Sequence, residues 1–243
     1  MNKVIRAEFG RTINAGLIIA IAGIIFSICF DSFNDLIAGL RNGQGYVGYF
    51  FSNAAFGGMC THYMLPVFTA LPFSVSLCQE RNNKAVSYIV SREGKNRYIF
   101  AKFIVSAISG GFVAVCGTVL LFLMLAMRFP IAGDEFEGAV VSDYFHEWSA
   151  VYYPQLYILT LSILAFCRGV IWSSLALCVS LYTSDFMVVL LSPFLGSYVL
   201  VRIFQIIRVP DMVRPDMILI GQVVIKSSGL TLIIAIAISL TIV

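Results

Sequence analysis

The sequence predicts an all-α, polytopic membrane protein with six transmembrane helices, an N-terminal interfacial helix and a short cytoplasmic helix between spans two and three. Two observations carry that prediction. Apolar residues make up 59% of the 243 and charged residues only 12%, with a mean hydropathy of +0.91, well outside the composition of a water-soluble domain. The apolar residues are also gathered into six runs, near 13–30, 59–78, 103–127, 156–182, 186–204 and 228–243. Each run is apolar all round, and most have the roughly 20 residues that a helical crossing needs. A helix is the form in which one segment satisfies its own backbone within lipid.

The elements follow in order. Over the first 14 residues, Met1, Ile5, Phe9 and Ile13 recur every fourth position while Lys3, Arg6 and Arg11 fall mainly elsewhere, as in a helix lying in the membrane interface. The first apolar run lacks a small-residue cleavage pattern, so the N-terminus is expected to be retained. Pro66 and Pro72 in the second run and Pro193 in the fifth remove helical hydrogen bonds and are expected to kink those helices. Asp185, in the short turn before the fifth run, suits an N-cap. Residues 205–227, which include the MILIGQVVI stretch, suggest a partly re-entrant outer hairpin before the last span. Nothing divides residues 1–243 into separate domains.

Charge gives the orientation. The net charge of +3 is mild, and no nucleic-acid reading is warranted. Lys3, Arg6, Arg11, Arg81, Lys84, Arg92, Lys95, Arg97 and Lys102 outnumber the cations of the opposite loops, Arg41, Arg128, Arg208, Arg214 and Lys226. The positive-inside rule therefore favours both termini in the cytoplasm. Asp134, Glu135, Glu137, Asp143 and Glu147 agree by placing the loop after the third run outside. The cations of the loop after the fifth run argue mildly the other way.

The most informative stretch is QERNNKAVSYIVSREGKNRYIFAK, residues 79–102. Its basic residues make it cytoplasmic, and residues 82–90 place Ala85, Val86, Ile89 and Val90 on one side of a short helix. Asn82 or Asn83 would start it and the Ser91 to Gly94 stretch would end it. An apolar side held off the membrane by polar flanks needs a cover, and a soluble partner would supply one.

Here the chain resembles the permease subunits of ABC transporters of the second, exporter-like type. In that family a Glu at the inner end of span two precedes a short coupling helix, a turn with a basic residue, and an aromatic and a Lys leading into span three. The matching residues are Glu80, the helix 82–90, Ser91 with Arg92, and Tyr98 with Lys102. The resemblance implies a cell-membrane subunit that pairs with a second permease, as homodimer or heterodimer, and docks cytosolic ABC ATPase subunits. Glu80, Lys84, Val86, Tyr88, Ile89 and Arg92 are the expected docking residues. No cofactor is expected to bind directly, ATP and magnesium belonging to the partner. The chain has no GxxxxGK[ST] phosphate loop, because Gly94 and Lys95 are preceded by Ile89 and followed by Asn96 where glycine and Ser or Thr would stand. The expected activity is export of a hydrophobic or amphipathic substrate, such as a peptide, a lipid-like molecule or a drug. The alternative is a secondary transporter or channel working without ATP.

Other residues point to no catalysis. Arg168 sits mid-way along the fourth run, where a cation costs about 2.5 to 3.5 kcal/mol on insertion scales, so it must face protein or water. It either lines a substrate path or the permease interface, or makes a local ion pair or carbonyl contact. No acid is evident at that depth, which disfavours a proton relay. His146 and Glu147 belong to HEWSA, which lacks the second histidine of a zinc protease motif at Ala150. His62 reads as a hydrogen-bonded packing residue. Cys29, Cys60, Cys78, Cys116, Cys167 and Cys178 form no CxxC pair and read as apolar filling. Tyr46, Tyr49, Trp148, Tyr152 and Tyr153 read as interface anchors.

Overall fold

The computed structural model describes residues 8–10, 12, 14–42, 47, 50, 58–74, 76–131, 154–210, 213–220 and 227–242. Ten helices lie among them: α1 (Ala15–Asp31), α2 (Phe33–Asn42), α3 (Met59–Ala70), α4 (Ser76–Asn82), α5 (Ala85–Glu93), α6 (Lys95–Ala126), α7 (Pro154–Ser180), α8 (Phe186–Ile207), α9 (Pro215–Ile220) and α10 (Ser228–Ile242). No strand occurs among the described residues. Every apolar run of the sequence carries a helix. Three of these, α6, α7 and α8, are long and apolar enough to cross a membrane, and α1 with α2 makes a fourth if the pair, bent by 70°, is one span. Large apolar side chains on the outer faces, among them Phe26, Phe112, Leu123, Leu195 and Ile233, stand exposed, as a membrane-embedded surface requires.

At the centre is α7, which touches α3, α4, α6, α8, α9 and α10. Its contact with α6 is the most extensive in the protein, and glycine explains why. A methyl group at Gly169 would stand 2.4 Å from the Gly110 carbonyl oxygen and 2.8 Å from Gly111 Cα, and one at Gly110 would meet the Ser173 side chain at 2.4 Å. The two backbones therefore meet directly, the close approach that small residues permit between membrane helices. Beside this crossing the Ser74 hydroxyl pairs with Ser106 Oγ at 3.0 Å and donates to the Ser173 carbonyl at 3.0 Å. A second core layer packs Ala20, Ile24 and Ile28 of α1 with Leu65 of α3 and Val113 and Leu121 of α6.

The prolines act differently from one another. Pro66 is accommodated inside α3, whereas the chain leaves the helix at Leu71 and Pro72 and resumes as α4 at Ser76. The second apolar run is thus broken into two pieces. Pro193 stays within α8; the Val189 carbonyl, which loses its usual partner four residues on, accepts from Ser192 Oγ at 2.7 Å. Asp185 caps α8 as expected, accepting from the Met187 amide at 2.9 Å.

Glu8 to Gly10 and Thr12 are helical, in keeping with a helix at the amino end; Met1, Lys3, Ile5, Arg6, Arg11 and Ile13 lie outside the described residues. So do Tyr46, Tyr49, the acidic loop from Asp134 to Glu147, His146, Trp148, Tyr152, Tyr153 and Lys226. Of the expected hairpin at 205–227, the described part includes the end of α8 together with α9, whose Ile218 and Leu219 are buried against Leu164, Cys167 and Ile171 of α7 and Leu232 of α10.

Candidate functional site

The basic end of the bundle, where α4, α5 and the start of α6 meet, holds the residues singled out by sequence. The short helix is displaced from the expected 82–90 to Ala85–Glu93. Asn82 and Asn83 do not start it; α4 runs on through Asn82, and the chain turns at Lys84, whose backbone takes a left-handed conformation with φ 54°. Gly94, with φ 83°, ends the helix, its amide donating to the Val90 carbonyl at 2.9 Å, and a residue without Cβ suits that conformation.

The displacement leaves the helix with its apolar side inward. Val86, Ile89 and Val90 pack on a buried group formed by Leu77 of α4, Tyr98 of α6 and Leu177 of α7. The cover expected from another polypeptide is therefore supplied, on this side, by the chain itself. The surface left outward is polar and basic around one aromatic ring: Lys84, Ser87, Ser91 and Arg92 are exposed, and Tyr88 is 78% exposed.

Directly behind that helix lies a buried ionic cluster. Lys102, 1% exposed, donates to Glu80 Oε1 at 2.8 Å, Glu8 Oε2 at 2.9 Å and Ser76 Oγ at 3.1 Å. Its ammonium lies 4.8 Å from the centre of the Phe73 ring and 5.6 Å from that of Tyr98, within cation–π range. The Tyr98 hydroxyl donates to Glu80 Oε2. One cation thus holds two carboxylates from separate parts of the chain, and Lys102 is long enough to reach both because it enters from the first turns of α6. Beside the cluster, Arg81 donates to the Ser180 and Leu181 carbonyls at 3.3 and 2.6 Å, satisfying the open end of α7. An open cavity of about 520 Å³ borders Glu80, Gln79, Asn83, Asn14 and Phe186.

Arg168 lies deeper, in the middle of α7, 9% exposed. One guanidinium nitrogen donates to the Thr61 carbonyl at 3.3 Å. A carbonyl contact is one of the alternatives that the sequence leaves open for it. Thr61 belongs to the first turn of α3, whose Cys60 and Thr61 amides donate to the Asp31 carboxylate at 3.0 and 2.5 Å. Asp31 thereby caps a helix from the end of α1, placing negative charge at a helix amino end. On the other side, Arg168 shares a small cavity with His62, Trp172, Ser197 and Asp216. Asp216 is buried and paired with Arg214 at 2.7 Å. This corrects the reading that no acid reaches that depth: Asp216 does, because α9 folds inward against α7.

Sequence reasoning thus found Glu80, Tyr98, Lys102 and Arg168 but missed Glu8, Ser76, Asp31, Arg81 and Asp216. Glu8 was findable as the one acid in a basic leading segment. Asp31, an acid closing an apolar run, carried a similar signal. Compared with known protein families, curated proteins and solved structures, the chain matches none of them.

Proposed function

We propose that the chain is the membrane-spanning permease subunit of an ATP-driven exporter of the ABC class. In this reading it crosses the cell membrane six times with both ends in the cytoplasm. It pairs with a second permease subunit, and it docks cytosolic ATPase subunits that bring ATP and magnesium. The second crossing is α3 and α4 together, and the last is α10. The observation that carries the reading is the convergence of Glu80, Tyr98 and Lys102. These are the residues on which the family resemblance rests, and they meet in one buried cluster immediately behind the short helix Ala85–Glu93. A foot pressed by a partner needs such a backing, because a load on a loosely held helix would be lost in its own movement. Here Val86, Ile89 and Val90 fix the foot to α4, α6 and α7, so displacement of α5 is passed to three helices at once. The resulting change would be a shift between two packed arrangements of the bundle.

The docking surface is the outward one, Lys84, Tyr88 and Arg92, with Val86, Ile89 and Glu80 serving from behind. The cargo is a hydrophobic or amphipathic molecule, in line with the apolar, Phe-rich composition of the helices. Replacing Tyr88 with Ala and Arg92 with Glu together should lower co-purification of a cytosolic ATPase at least tenfold while melting temperature and membrane insertion stay unchanged. Undiminished recovery of the ATPase would remove the docking surface. Should no nucleotide-hydrolysing protein travel with the unaltered chain in mild detergent, the exporter reading itself would fall.

A further inference from the structure

Arg168 carries a charge that no described carboxylate pairs. A guanidinium stays protonated at any working pH, and a buried charge is stable only when paired and fully hydrogen-bonded. Among the described residues no carboxylate lies within ion-pair distance of Arg168, and its hydrogen bond goes to the Thr61 carbonyl alone. The acids around it are committed elsewhere: Asp31 accepts from the Cys60 and Thr61 amides, and Asp216 is paired with Arg214. His62, from α3, offers no negative charge.

A second, independent observation lies on the same side. Thr61 is 5% exposed, and its hydroxyl is buried with no hydrogen-bond partner among the described residues. Thr61 and Arg168 both line a small cavity of about 40 Å³, bordered by Ile28, Leu65, Leu164 and Leu219. The other hydroxyl there, Thr118, already donates to the Ala114 carbonyl at 2.8 Å. A cavity needs roughly 10 to 15 Å³ to hold a water-sized particle, so this one has room for a small ion. Its polar lining is Arg168 with the unpartnered Thr61 hydroxyl, among mostly apolar neighbours. A water would satisfy the hydroxyl but leave the charge, whereas a small anion satisfies both.

We infer that Thr61 and Arg168 form a binding site for a halide-sized anion in the interior of the bundle. The site does not depend on the exporter reading, since it rests on residues remote from the docking helix. Bound chloride neutralises the guanidinium, accepts from the Thr61 hydroxyl and ties α3 to α7.

The test is the melting temperature of the purified full-length protein in detergent, in potassium chloride and in potassium gluconate at equal ionic strength. The unaltered protein should melt a few degrees higher in chloride, with the gain saturating as chloride is raised, because a ligand bound only by the folded state stabilises it by mass action. Thr61→Val keeps the side chain's shape and removes a hydroxyl that bonds to no group among the described residues. It should match or exceed the unaltered protein in gluconate and lose most of the chloride gain. Arg168→Gln should abolish that gain altogether. Soaked bromide should give an anomalous peak between the Arg168 guanidinium and Thr61 Oγ1. Equal melting in the two salts, or a full chloride response in Thr61→Val, would overturn the site and leave water as its occupant.

Discussion

Two of the buried cations among the described residues, Lys102 and Arg168, are handled in opposite ways. Lys102, at the basic end, is shared by two carboxylates, a serine and two aromatic faces, whereas Arg168, at mid-bundle, meets one carbonyl. The first is a closed arrangement whose members come from the amino-terminal segment, α4 and α6. The second is an open one, with donors to spare. A buried charge with every partner in place resists change; one with partners missing is poised to take a ligand. The contrast separates the part of the bundle that transmits position from the part that can recognise something.

The sharpest way to break the contrast is to remove each cation in turn. Lys102→Met removes the cation shared by buried Glu8 and partly buried Glu80 and should cost about 3 to 5 kcal/mol, the usual penalty for breaking a buried pair from one side. Denaturant titration of the detergent-solubilised protein would measure it. If Lys102→Met unfolds at the same denaturant concentration as the unaltered protein, the closed arrangement contributes nothing. Tyr98→Phe, which leaves the ring in place against Lys102 and removes one hydrogen bond to a charged acceptor, should cost about 1.5 to 3 kcal/mol in the same titration. Arg168→Met strands no carboxylate. Measured without chloride, it should change stability by about 1 kcal/mol or less and can be stabilising, because an ion's burial is relieved. A loss as large as that of Lys102→Met would show that Arg168 has a carboxylate partner after all.

The fold was legible where it rests on uninterrupted apolarity. α6, α7 and α8 are long, apolar and each begins or ends at a residue suited to do so, Gly94 and Asp185 among them. What escaped was set by packing between segments distant in sequence. The limits of α5 moved by three residues because burying Val86, Ile89 and Val90 against Leu77, Tyr98 and Leu177 outweighs the local preference of Asn82 or Asn83 for a helix start, a capping effect of only about 1 kcal/mol. Pro66 and Pro72 looked alike in sequence, but only the second coincides with the break. Of the candidate site, the spacing from Glu80 to Lys102 drew attention to both, yet nothing in it says that Glu8, 94 residues from Lys102, completes the cluster. Asp216 was hidden for the same reason: its depth is decided by α9 turning inward, which a hydropathy profile does not register.

The crossing of α6 over α7 sets the manner in which this protein can move. At Gly110 and Gly169 main chain rests on main chain, so no side chain there can swing aside to let one rod slip along the other. The pair can still scissor about that point as about a rivet. Its arms are unequal: Gly110 lies near the middle of a 32-residue helix, while Gly169 sits 11 residues from the Ser180 end of α7. A small tilt imposed at the basic end is consequently enlarged along the longer arm of α7, toward Pro154.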